Sequence, residues 1–282
     1  MTSWAAPLAA LAEQHLPADV AARWIGLFRP AARLFAAVDG KPTIGQLGGN
    51  PVLPPETDWP TWPGHGPLTF IASVNCAELP AGALDIPLPR AGTLLFFYFD
   101  GQLDDGHALV YCEDPQSMAG ARVIFVPAGV PVQERATPEG LTAYPKIGLS
   151  AEIVATAPHG EHALLSKTLL PGNVPLEDSP SAHVFSDVVE RVTKGPLHQI
   201  GGFAYPIQGP VENEVAQAAL GGKVPWHDPR HTAEASRWVL LAQIDSDGDM
   251  RWGDVGALYW LIRPDDLANR RFDAALFTWQ CG

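Results

Sequence analysis

The chain has 282 residues, 46% of them hydrophobic and 17% charged, with a formal net charge of −13. That balance fits a folded globule with a substantial core and excludes an extended disordered chain. The acidic surface repels phosphate backbones, which argues against general nucleic-acid binding, and no apolar run is long enough for a transmembrane helix.

The N-terminal stretch MTSWAAPLAALAEQHLP lacks a basic segment and contains Glu13 and His15. It is a poor signal peptide, and the chain is expected to be cytoplasmic. Leu8 and Leu11, then Val20, Trp24, Leu27 and Phe28, follow helical spacing. Residues 1–42 are therefore expected to be a helical segment broken at Pro17 and packed on the rest. A Gly- and Pro-rich loop follows from about residue 43. Strands are predicted over 67–74, 92–99, 108–112 and 122–126. Residues 127–182 are expected to alternate polar loops with weak strands, ending in the long connection LLPGNVPLEDSPSAH. Val184 to Val192 and Val211 to Leu220 read as amphipathic helices, the second stopped by Gly221-Gly222. Strands over 237–244, 256–262 and 272–279 close the chain. Cys76, Cys112 and Cys281 are odd in number and widely spaced, so they are expected to be reduced thiols.

A weak repeat organises these elements. IGQLGGNP (44–51) resembles HQIGGFAYP (198–206), PLTFIASVNCAEL (67–79) resembles RWVLLAQIDSD (237–247), and GTLLFFYFD (92–100) resembles GALYWLIRPDD (256–266). The shared order favours duplication over chance likeness between short apolar strands. Neither pair of strands could bury its faces alone. The expected fold class is mainly β or α+β. Two weakly duplicated antiparallel β units, about 43–126 and 197–282, pack as one domain over 43–282 with peripheral helices. The Gly48-Gly49 and Gly201-Gly202 pairs are read as positive-φ turns rather than phosphate loops.

Through Gly48-Gly49-x-Pro51-x-Leu53-Pro54, Trp59-Pro60, PLTFIASVNCAEL, HQIGGFAYPIQ, WVLLAQIDSD, Trp252-Gly253-Asp254, GALYW and Gln280-Cys281, the chain resembles the YwqG-like family, a domain of unknown function. The resemblance spans about residues 44–281. It implies a duplicated β fold and no established activity. Some relatives lie in bacterial toxin and immunity neighbourhoods, which implies binding of a protein. The family usually has a glutamine where this chain has Ser73; the second unit keeps it as Gln243.

Candidate chemistry concentrates in Asp245-Ser-Asp247-Gly-Asp249-Met-Arg-Trp252-Gly-Asp254. Asp245, Asp247 and Asp249 open like a calcium loop and could hold a divalent cation, but Gly248 is misplaced for an EF-hand and no glutamate closes the loop. The same aspartates could cap a hairpin turn between two apolar strands, accepting backbone N–H bonds. A third reading pairs Asp245 with Asp254 as a hydrolase acid and base. In WHDPRH, Pro229 between His227 and His231 disfavours a helical metal pair. Gln208 and Gln243 could bind a peptide backbone or fasten strands.

The leading expectation is a non-catalytic protein- or peptide-binding protein of immunity or regulatory type, needing no cofactor. Its ligand-binding residues would be Trp252, Asp254, Gln208, Gln243 and Tyr259, in a groove between the units. The alternative is a metal-assisted hydrolase or other enzyme on the Asp245–Asp254 loop. A third is a small-molecule carrier with an apolar cavity between the halves.

Overall fold

The computed structural model describes residues 2–80, 82–169 and 182–282. The connection over 170–181, expected above as a long loop, lies outside them.

Ten strands form one antiparallel sheet: β1 (Arg29–Ala36), β2 (Gly45–Leu47), β3 (Thr69–Asn75), β4 (Thr93–Tyr98), β5 (Ala121–Val126), β6 (Ile147–Thr156), β7 (Gln199–Ile200), β8 (Val239–Asp245), β9 (Ala257–Ile262) and β10 (Leu276–Gln280). Their spatial order is β5-β4-β3-β2-β6-β1-β7-β8-β9-β10. The first five strands and the last five each make a half. The leading strand of each half, β1 or β6, is exchanged into the other half's ladder. The centre of the sheet is thus the long β1–β6 pair, running from Arg29↔Thr156 to Ala36↔Leu149.

The two halves repeat one hydrogen-bonding pattern. Gln46 faces Ser73 and Gln199 faces Gln243 in register. A bulge at Ile71 matches one at Leu241, and the carbonyls of these residues accept from Gly48 N–H at 2.9 Å and Gly201 N–H at 3.2 Å. The glycine pairs turn with φ of 55° and 69° in the first half and 70° and 73° in the second, a left-handed region that favours glycine. The Gln46 and Gln199 side-chain amides each donate to carbonyls two and four residues on.

The sheet curls nearly into a barrel. Tyr98 near one edge stacks on Phe277 of the opposite edge strand at 4.7 Å, and Phe125 meets Phe272 at 5.1 Å. Side chains of both halves fill the inner face, with Phe96 and Trp260 5.1 Å apart. All six residues of β9 are buried, as a strand covered on both faces requires.

Helices cover the outer face. α1 (Ala6–His15) and α2 (Ala18–Ile25) are separated by Pro17. With α3 (Ala163–Leu169) and α4 (Ala182–Val192) they bury Leu8, Trp24, Leu165 and Phe185 in a second cluster. α5 (Val211–Ala219) and α6 (Pro229–Ala235) lie over the second half, where Val211 and Val215 pack with Leu240, Tyr259 and Leu261. Gly221 and Gly222, at φ of 89° and 75°, follow the end of α5.

Three elements differ from expectation. Residues 29–36 are not part of a helical segment: they form a central strand, because Ala32 and Leu34 alternate inward while Arg33 and Phe35 face out. Residues 147–156, expected to be weak, form the longest strand. Residues 108–112 form an irregular connection rather than a strand.

Candidate functional site

The Asp245–Asp254 segment is a hairpin connection. Asp245 ends β8, and its Oδ2 accepts from Leu197 N–H at 2.7 Å while Oδ1 accepts from Gln243 Nε2 at 2.9 Å. Its own N–H donates to His198 Nδ1 at 3.1 Å, which leaves the imidazole proton on Nε2, 3.4 Å from Asp247 Oδ2. Burial pushes the His198 pKa down, so this imidazole is neutral at pH 7. Asp247 and Met250 exchange backbone hydrogen bonds of 2.8 and 2.9 Å around Gly248, whose φ is +55°. Ser246 Oγ donates to Gly256 O and accepts from Trp252 N–H. Asp249 and Asp254 are exposed. Among the described residues no group of three His, Cys, Asp or Glu side chains is placed to hold a metal.

The expected ligand-binding residues are not brought into one groove. Trp252 is 3% exposed and turned into the inner core, with its ring 6.2 Å from Tyr98 and 5.8 Å from Tyr144. Tyr259 is fully buried on the opposite face. Gln208 is exposed, whereas Gln243 is fully buried.

Gln243 and Tyr259 belong instead to a row of polar side chains crossing six adjacent strands in register: Glu152, Arg33, Gln199, Gln243, Tyr259 and Thr278. The row fastens residues 201–209 to the outer face. Gln199 donates to Gly201 O and Phe203 O. Gln243 Oε1 accepts from Tyr205 N–H at 2.9 Å, and Tyr259 Oη donates to Tyr205 O at 2.9 Å. Gln280 completes the fastening. Its Oε1 accepts from Ile207 and Gln208 N–H, and its Nε2 donates to Gly209 O and to Glu214. The side-chain amides do bind a peptide backbone, and it is the protein's own.

Arg33 is the member of this row left under-used. Its Nη2 donates to Gln199 Oε1 at 3.3 Å, and its buried Nε has no acceptor among the described residues. Burial holds its pKa below the usual arginine value against the pull of Asp245 and Glu152. Arg33 lines a cavity of about 530 Å³ between the sheet seam and helices α1 and α4, with walls that include Leu8, Val189, Phe203 and Tyr205. A smaller recess of about 290 Å³ shares Thr193 and Tyr205 with it and reaches Asp245, Ile207 and Val255. Val255 sits at that rim with φ +54° and 66% exposure. This is a strained backbone for a β-branched residue, costing on the order of 1–3 kcal/mol. Arg33 is hidden in the sequence because the helical expectation for 1–42 spans it; the Arg33-x-Phe35 alternation is the signal that marks it as a strand residue.

A family model described as a domain of unknown function (DUF1963) matches residues 45–281. The chain belongs to that family. No curated protein matches it. The DUF1963 match covers β2 to β10, the Asp245 hairpin and the fastened segment. Strand β1 with Arg33 precedes the match, while its partner Gln199 lies inside it.

Proposed function

We propose that the protein is a non-catalytic binding protein of regulatory or immunity type that holds the end of an extended polypeptide in the recess over the sheet seam. The observation that carries this reading is the Arg33 guanidinium, half-buried, which among the described residues makes one hydrogen bond and has an enclosed Nε without an acceptor. A carboxylate fits a guanidinium fork in two parallel bonds, and a hydrogen bond to a charged group is worth about 1.5–3 kcal/mol. The apolar walls suit the side chains next to a terminal carboxylate, and exposed Ile207 and Val255 offer further apolar contact at the far rim. On this reading the binding residues are Arg33, Gln199 and Tyr205 rather than Trp252, Asp254 and Gln208. On the same reading the chain is a YwqG-like member of DUF1963, descended from a duplicated β unit. It works in the cytoplasm, where Cys76, Cys112 and Cys281 stay reduced.

The test is selection from a peptide library displayed with free C-termini. Selected peptides should lose at least about tenfold in affinity when amidated, and again when Arg33 is replaced by Gln in a folded variant; tenfold corresponds to about 1.4 kcal/mol. Amidated peptides that bind as tightly as free acids would reject the proposal.

A further inference from the structure

A second groove, of about 520 Å³, opens on the outer face between α3, α5 and α6, with Phe203 shared between its wall and that of the first cavity. Its size suits a small molecule. Apolar walls come from Phe203, Trp238 and Leu240, and charged groups from Arg29, Lys167 and Glu212.

Glu212 stands in the first turn of α5 with its side chain 13% exposed. Among the described residues its carboxylate makes no side-chain hydrogen bond; the nearest basic atom is His162 Nε2, 3.8 Å from Oε1. His162 does not neutralise it. Leu164 N–H donates to His162 Nδ1 at 3.2 Å, and burial pushes the imidazole down to about 4, so the ring is neutral at pH 7. Burial raises the Glu212 pKa, outweighing the opposing pull of a backbone hydrogen bond and of the Arg29 charge. Lys167 also lines the groove, is exposed and forms no ion pair among the described residues. Arg29 lies 4.8 Å over the Phe203 ring and is shared with Asp85 at 3.4 Å. The groove therefore offers one enclosed acid, two basic side chains and apolar walls.

We propose that this groove binds a free α-amino acid with a large apolar side chain. The ammonium group sits on Glu212, the carboxylate at Lys167 and Arg29, and the side chain against Phe203 and Trp238. A buried carboxylate of this kind discriminates strongly, because a ligand without the ammonium leaves it unpaired. The inference does not depend on the Arg33 recess.

The test is calorimetric titration of the whole chain with leucine, phenylalanine and tryptophan, and with their N-acetyl and amide forms. At least one free amino acid should bind, and removing either charge should weaken it at least about tenfold. Glu212→Gln, which keeps the size of the side chain, should abolish binding, and Lys167→Ala at its exposed position should weaken it. Arg33→Gln should leave it unchanged, which separates this groove from the polypeptide recess. Absence of binding by all three free amino acids, equal binding of the N-acetyl form, or unchanged binding by a folded Glu212→Gln variant would overturn the proposal.

Discussion

Replacing Gln243 by Leu tests whether the buried glutamine fastens the chain's own backbone. The amide is fully buried, accepts from Tyr205 N–H at 2.9 Å and donates to Asp245 Oδ1 at 2.9 Å. Leucine keeps the volume but leaves both partners unsatisfied. Each unpaired buried group costs about 1–3 kcal/mol, partly offset because Asp245 keeps its bond from Leu197 N–H. The expected loss is about 2–4 kcal/mol, read as a lowered urea midpoint at unchanged slope. Hydrogen exchange should show the Tyr205 amide losing protection at the same time. Ser73 occupies the matching register position in the first half, and no side-chain hydrogen bond of it is present among the described residues, so Ser73→Ala should stay within about 0.5 kcal/mol. A Gln243→Leu loss below about 0.5 kcal/mol with Tyr205 protection intact would refute the reasoning.

The repeat makes a paired prediction. A Cβ on Gly92 would meet Val126 O at 2.7 Å, and one on Gly256 would meet Gln280 O at 2.2 Å, the same clash in each half. Alanine at either position should therefore lower the melting temperature, each by several degrees, and a neutral substitution at either would break the correspondence. The pH profile gives another test. His162 titrates near 4 when folded, below the ~6.5 of a free imidazole, so between those values the unfolded chain binds more protons and stability rises with pH. Denaturant titrations should show stability falling as pH drops from about 6.5 towards 4, with His159 and His198 acting in the same direction. His162→Asn, which can still accept from Leu164 N–H, should make that fall shallower by up to about 3 kcal/mol.

Most strands were legible because their chemistry is local. GTLLFFYF and GALYWLI are unbroken apolar runs, and the glycine pairs before β3 and after β7 announce the same positive-φ turn twice. The centre of the sheet was less legible. Arg29–Ala36 is rich in Ala, Leu and Arg, which favour helices in isolation, and only pairing with β6 makes it a strand. Ile147–Thr156 contains Gly148, Ser150 and Glu152, so its apolar pattern is diluted; it holds its place through eight register pairs with β1. The site was obscured for the same reason. Trp252 and Tyr259 are close in sequence, yet the hairpin connection turns Trp252 into the inner core while β9 presents Tyr259 to the outer cluster. Arg33 and Gln199 are far apart in sequence, and strand exchange between the halves sets them side by side. The aspartates were legible as turn builders, since Asp247 and Gly248 are residues that tight hairpins use.

The Nε–H resonance of Arg33 in ¹⁵N-labelled protein reports most directly on whether this guanidinium awaits a carboxylate. Titration with a library-selected peptide acid should move that proton downfield, while the amidated peptide leaves it in place. A resonance that ignores the peptide acid, or that the amidated peptide moves as far, would contradict the account.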